Sequence, residues 1–163
     1  MRKLEIFFDY TSSFCLMGHK YLTDLLPQYP DIEAVWRPCE SHPRPEPGKH
    51  SDLCIQGMFY ALEQGIDSLV YHKRIFDAIF VERVDVEKPE TLARGVRKLT
   101  DPNAFLEAIN SGKYAKPLQD ANDYARKESG ITVLPAFRME GKELDASATA
   151  GITKQQIIDF LKE

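Results

Sequence analysis

Long apolar runs are missing from this chain. No stretch approaches the roughly 20 residues that span a bilayer, and the segment after Met1 lacks the apolar core of an export signal. The sequence therefore reads as cytoplasmic, with no membrane partner. An excess of positive charge is missing too: 21 Lys and Arg stand against 25 Asp and Glu, a net charge of −4, with no strongly basic segment. Nucleic-acid binding has no electrostatic footprint here. Cysteine is scarce. Three residues, Cys15, Cys39 and Cys54, are an odd number without an export signal, which argues against a disulfide scaffold and for reduced thiols. A glycine-rich phosphate loop is absent, and no Ser-His-Asp set can be assembled. What remains is a chain of 163 residues with 43% hydrophobic and 28% charged side chains. That is one globular domain's worth, large enough to bury a core without staples.

Hydrophobic spacing divides the chain into three blocks. Leu4, Ile6 and Phe8 alternate, which predicts a strand over 2–8. Leu16, His19, Leu22, Leu25 and Leu26 recur at helical spacing over 13–26, and Pro27 and Pro30 close that helix. Ile32, Ala34 and Trp36 mark a second strand; a strand–helix–strand opening implies parallel pairing with a right-handed crossover. Residues 38–48 form a proline-rich loop. Helical signals then dominate over 51–64, 68–81 and 114–129, with first-turn prolines at 89 and 102, Asp101 as an N-cap and Gly130 as a stop. Strand signals return over 131–138. Glu140-Gly141-Lys142 makes a turn, Leu144 lies in a partner strand, and Thr153-x-x-Gln156 opens a last helix as a capping box. A helical block of about 75–80 residues is too long for a loop, so it must pack as an inserted subdomain.

The chemistry concentrates in Asp9-Tyr10-Thr11-Ser12-Ser13-Phe14-Cys15-Leu16-Met17-Gly18. A strand ends there at a small-residue turn and feeds a helix N-terminus, where backbone N–H groups and the helix dipole stabilise a negative charge such as a thiolate. Ser12-x-x-Cys15 has the spacing of a redox Cys-x-x-Cys motif with its first sulfur replaced by oxygen. Ser12 alone is also a good helix cap. Cys15, one turn into the helix, faces inward by its spacing, where a buried thiol is inert. Tyr10 and Phe14 suit packing as well as substrate contact.

These stretches together resemble the DsbA family of thioredoxin-like proteins. The 9–18 segment is similar to that family's Asp-aromatic-x-Cys-Pro-aromatic-Cys segment. Trp36-Arg37-Pro38 with His42-Pro43 resembles the loop after its second strand, and Arg74 to Phe80 a helix of its inserted domain. Gly130 to Phe137 resembles its Gly-Val-x-Gly-Val-Pro-Thr-Phe segment, in which the proline is cis. The resemblance spans nearly the whole chain and is greatest for the FrnE-like branch, which shades into 2-hydroxychromene-2-carboxylate isomerases and kappa-class glutathione transferases. It implies an α/β thioredoxin-like fold: a mixed four-stranded sheet from 1–49 and 130–163, with an all-helical subdomain over 50–129. It implies catalytic roles for Ser12 and Cys15, and a thiol-binding surface at Leu134 and Pro135 with Tyr10 and Phe14. An extended thiol peptide would pair with the Leu134 backbone like an added strand.

Departures from the family pattern frame the function. Ser12 stands at the attacking-cysteine position, Ser13 at the usual proline, and Leu134 where a smaller residue is usual. A hydroxyl cannot form a disulfide, so two-cysteine cycling is excluded. Three readings follow. One is a degenerate thiol oxidoreductase working through Cys15 or mixed disulfides. The second is a glutathione-dependent transferase or isomerase with Ser12 holding the thiolate, glutathione then being a cosubstrate. The third is a non-catalytic module for a thiol peptide. The Ser-Asp pair that kappa transferases use for the glutamyl end is not evident in Asp145-Ala146-Ser147-Ala148-Thr149. No tightly bound cofactor is expected. Cys39-x-x-His42 with His50-x-x-x-Cys54 has zinc-type spacing, but Cys54 fits an apolar helix stripe, and no metal is assigned. His72 reads as a core histidine.

Overall fold

β1 (Arg2–Phe8) opens the computed structural model, which describes residues 1–162. Its Leu4, Ile6 and Phe8 face one side and are buried. α1 (Ser13–Leu25) follows, then a tight 3₁₀ turn containing Pro27, then β2 (Ile32–Pro38). After α2 (Asp52–Glu63), α3 (Ser68–Phe80), α4 (Pro89–Gly95), α5 (Pro102–Asn110) and α6 (Ala115–Asp123), the strands resume as β3 (Ala136–Met139) and β4 (Lys142–Asp145), and α7 (Lys154–Leu161) closes the chain. The sheet order is β2-β1-β3-β4. β1 and β2 run parallel, with Arg2 opposite Ile32 and Phe8 opposite Pro38. β3 is antiparallel to β1, Ile6 facing Phe137, and β4 is antiparallel to β3. The sheet is therefore mixed and four-stranded.

The chain divides into two compact units. One holds Met1–Cys39 and the residues from Asp123 on; the other is Glu40–Asn122. In the first, one sheet face carries the core: Leu4 and Ile6 of β1, Leu22 and Leu25 of α1, Phe137 and Met139 of β3, and Ile157, Phe160 and Leu161 of α7. Each such side chain contributes about 1.5–3 kcal/mol on burial. On the opposite face Phe7 stacks on Tyr124 at 6.0 Å between ring centres. Glu5 accepts from Arg37 Nε at 2.8 Å and from the Tyr124 hydroxyl, and the Arg37 guanidinium lies 4.5 Å over the Tyr124 ring.

The helical unit packs α2 against α3 and α5 through Gly57. A Cβ there would stand 2.5 Å from Phe105 Cζ and 2.5 Å from the Tyr71 hydroxyl, so only glycine admits this approach. Tyr71, fully buried, donates to the Cys54 carbonyl at 2.7 Å. Glu40 and Asn122, at the two ends of the unit, exchange two hydrogen bonds of 2.8 and 2.9 Å. The proline-rich loop from Glu40 on belongs to this unit. Arg44 Nε binds Asp52 at 3.0 Å, and His50 meets Glu87 at 2.6 Å and the Glu46 carbonyl at 2.7 Å.

Two expected elements differ. The strand expected over 131–138 begins only at Ala136. Ile131 N–H goes to the Ala125 carbonyl at 2.9 Å, Arg126 holds the carbonyls of Ile131 and Thr132, and Pro135 has no N–H to offer a ladder. The helix expected over 114–129 is α6 followed by a π-helical turn, Tyr124–Glu128, in which Ser129 N–H reaches the Tyr124 carbonyl. The wider turn carries Tyr124 onto Phe7 and Glu5.

Candidate functional site

The turn after β1 is built on a buried acid. Asp9 is fully buried, and its Oδ1 accepts from both the N–H and the hydroxyl of Thr11 at 3.0 Å. Its carbonyl accepts the Ser12 N–H at 3.1 Å. These bonds bend the chain so that Ser12 becomes the N-cap of α1, with φ −92° and ψ 123°. Ser12 Oγ accepts from Cys15 N–H at 3.2 Å, and the Ser12 carbonyl takes Leu16 N–H at 3.1 Å. A cap of this kind stabilises a helix by about 0.5–2 kcal/mol. Among the described residues the N–H groups of Ser13 and Phe14 bond to none, so the first turn presents two unsatisfied donors at the positive end of the helix dipole.

Cys15 is the opposite case. It is 2% exposed, on the face of α1 that also buries Gly18, His19, Leu22 and Leu25. Its Sγ accepts from Asp9 N–H at 3.4 Å. Burial dominates its ionisation and pushes the thiol up to about 12; the Ser12 hydroxyl and the Asp9 N–H pull it back only in part, and the Asp9 carboxylate adds to the rise. At neutral pH Cys15 is a neutral thiol, while the Ser12 hydroxyl beside it is a group that favours a sulfur anion.

The other wall comes from the distal end of the sequence. The Leu134–Pro135 peptide is cis. Pro135 packs against α1 at Gly18, where an added Cβ would lie 3.3 Å from Pro135 Cγ. The Pro135 carbonyl is taken by Ala146 N–H at 3.0 Å, whereas the backbone of Leu134 hydrogen-bonds to none among the described residues. Ser147 and Gly151 close a small loop with reciprocal backbone bonds of 2.8 and 2.9 Å, and the Phe14 ring rests on the bare backbone of Gly151. Ser147 Oγ turns inward on this loop, accepting from Thr149 N and Ala150 N.

Ser12, Cys15 and Phe14 thus share the first turn of α1, with Pro135 against its second turn. Tyr10 is fully buried, its neighbour Phe8 meeting it edge-on at 5.0 Å, so it supports the turn from beneath. Two contributors were not picked out from sequence as site residues: Asp9, a buried carboxylate directly before the motif, and Gly151, whose φ of +70° admits the Phe14 ring. The paired zinc-type ligands are used otherwise; His50 spends both ring nitrogens on Glu87 and Glu46. Among the described residues no three His, Cys, Asp or Glu side chains gather as a metal set, and no helix is long and apolar enough to cross a membrane. A cavity of about 470 Å³ lies at the far end of β1, lined by Arg2, Lys3, Arg138, Glu140 and Lys142. Three of its cations are already engaged, Arg2 with Asp31, Arg138 with Asp145 and Lys142 with the Phe160 and Lys162 carbonyls.

No family model matches the chain. An uncharacterized protein of Bacillus subtilis, YwbO, is 20% identical over 197 aligned residues that take in 98% of each chain. Among solved structures, Chlamydia trachomatis DsbA matches with a TM-score of 0.73 at 14% identity, over 98% of this chain and 84% of its own. MdbA of Actinomyces oris, a thiol-disulfide oxidoreductase, matches at 0.70 and 21%, over 98% and 79%. A 2-hydroxychromene-2-carboxylate isomerase matches at 0.74 and 12%, over 97% and 92%.

Proposed function

We propose, from the premise that this chain has the DsbA-type thioredoxin-like fold shared by DsbA proteins and 2-hydroxychromene-2-carboxylate isomerase, that it binds a small thiol peptide, with glutathione as the test case, and uses the bound thiolate in a transferase or isomerase reaction. The observation that carries this reading is the contrast between Ser12 and Cys15. The hydroxyl sits at the helix N-terminus beside two unsatisfied N–H donors, while the protein's own sulfur is buried and protonated. Three donors around one point suit an incoming thiolate, since hydrogen bonds to a charged acceptor are the strong ones. They would lower the thiol's pKa and leave its lone pairs aimed outward at an electrophilic carbon. The unbonded Leu134 backbone supports the same reading, because an extended peptide can pair with it as an added strand.

A second reading is thiol–disulfide exchange with Cys15 as nucleophile. The fold favours it, being that of the DsbA proteins; the protonated, buried state of Cys15 weighs against it, since the thiolate is the attacking species. Titration of the protein with glutathione, followed by backbone amide NMR, separates the two. The thiolate reading expects shifts centred on Ser13, Phe14 and Leu134, and an affinity loss of about 10- to 150-fold in Ser12→Ala, the worth of one hydrogen bond to a charged group. Absence of glutathione binding together with dithiol-dependent insulin reduction would move the assignment to exchange. Binding of neither thiol nor disulfide would leave a non-catalytic module.

A further inference from the structure

β2 lies at the edge of the sheet, with β1 as its sheet neighbour. Its register decides which backbone groups point outward. Cys39 N–H donates to the Phe8 carbonyl at 2.9 Å, so under parallel pairing Glu33, Val35 and Arg37 direct their N–H and C=O toward β1. Those of Ala34 and Trp36 point to the open side. None of the five residues from Glu33 to Arg37 is buried, and Glu33 is exposed. The ladder this edge offers is short, because Ile32 N–H is taken by the Tyr29 carbonyl and Pro38 has no N–H.

The edge is its own complement. Read antiparallel about Val35, Glu33 faces Arg37, Ala34 faces Trp36, and Val35 faces Val35. In that register the outward groups of Ala34 and Trp36 form two hydrogen-bonded pairs, and the Val35 pair falls between them as the close, non-hydrogen-bonded one. A slip by one residue would set an outward residue against an inward one. A slip by two would remove the charge pairs. The small Ala34 side chain leaves room for the Trp36 ring. The Glu33 carboxylate bonds to none among the described residues, and the two terminal nitrogens of Arg37 likewise, its Nε alone being committed to Glu5. The Tyr124 ring beneath that guanidinium holds it in place.

We propose that this edge is a two-fold interface between two copies of this chain: β2 pairs antiparallel with the partner's β2 about Val35, joining two four-stranded sheets into one of eight. Each Glu33 meets the partner's Arg37, opposite charges on one sheet face being a favoured cross-strand pair. The contact is small, so association is reversible and concentration-dependent.

Sedimentation of the full chain from low micromolar to sub-millimolar concentration, read against the 18.6 kDa monomer mass, should show a monomer–dimer equilibrium. Ala34→Pro removes an outward donor while leaving the bonds to β1, and proline is tolerated on a sheet edge; it should weaken association at least tenfold with an unchanged circular dichroism spectrum. Glu33→Arg should weaken it about two- to thirtyfold. Under mild oxidation Val35→Cys should cross-link to dimer far faster than Glu33→Cys, because the paired position 35 brings Cα atoms within disulfide range. The three native cysteines are buried and do not compete. A wild type that stays monomeric throughout, a folded Ala34→Pro that associates like wild type, or equal cross-linking at 33 and 35 would each overturn the proposal. If Ala34→Pro fails to fold, Glu33→Arg and the cysteine pair still decide it.

Discussion

Gly151→Ala tests whether the Phe14 ring is seated as the structure has it. An added Cβ would stand 2.5 Å from Phe14 Cδ1 and 2.9 Å from Cγ and Cε1, at a φ of +70°. The left-handed backbone alone costs a residue with a Cβ about 1–2 kcal/mol. Forcing a methyl into the ring adds about 1–3 kcal/mol, the usual range for overpacking. The sum is about 2–5 kcal/mol, which lowers the melting temperature by about 4–20 °C in a chain of this size, at about 2–4 °C per kcal/mol. Gly130→Ala supplies the control: its φ is +65°, but nothing lies within 4 Å of the added Cβ. Only the backbone share applies there. Thermal and urea unfolding of both variants, read by circular dichroism, gives the ring's share by difference. In a Phe14→Ala background the cost of Gly151→Ala should fall to that of Gly130→Ala. Equal destabilisation by Gly151→Ala and Gly130→Ala in the wild-type background would refute the reasoning.

Further outcomes follow from the ionisation and packing described above. Cys15, at about 12 against an ordinary 9.0, should alkylate at pH 8 about a thousandfold more slowly than a free thiol, the three-unit difference in pKa; labelling as fast in the native state as in denaturant would contradict its burial. His50 has its pKa raised above 6.5, first by the Glu46 carbonyl and then by Glu87. Its contribution is therefore fully present below pH 6.5 and is lost as pH rises through the folded value. The melting temperature should fall over that window and the fall should flatten in His50→Ala; an unchanged slope in the variant would remove His50 as the cause. Gly57→Ala, although it improves helix propensity, should destabilise by about 1–3 kcal/mol, because its methyl would meet Phe105 and Tyr71; a stabilised variant in urea unfolding would show that α2 can move away.

Features set by a few neighbouring residues were legible in the sequence. Ser12 before an amphipathic run, Asp101 before Pro102 and the Thr153/Gln156 box are all caps in the structure, because a cap is decided by a side chain reaching two or three residues ahead. The inward direction of Cys15 followed from its place four residues before His19 and seven before Leu22. The π turn at Tyr124 was not legible. Its residues suit an ordinary helix, and the partners of its first residue, Glu5 and Phe7, lie over a hundred residues away. The late start of β3 was hidden for a related reason: Ile131 and Val133 alternate like a strand, yet Ala125 and Arg126 claim the backbone there. In the site, the role of Asp9 was not legible, since nothing local reveals that a carboxylate will be fully buried. Gly151 carries no local signal that sets it apart from other loop glycines, because the Phe14 ring that rests on it comes from over a hundred residues away.

The placement of β1 between β2 and β3 has a consequence for how the protein is made. The ribosome delivers β1 and β2 together, but 97 residues separate Pro38 from Ala136, the first residue of β3. At about 5–20 residues per second, β1 waits about 5–20 s for its second neighbour. During that interval its open edge, and the apolar face that β3 and α7 will cover, stand exposed in a nascent chain whose helical unit is still emerging. The wall of the site built from Pro135, Ala146 and Gly151 arrives later still. The Ser12 turn therefore acquires its surroundings only once residue 151 has been made, and termination between residues 26 and 135 yields a product with the motif and without the site.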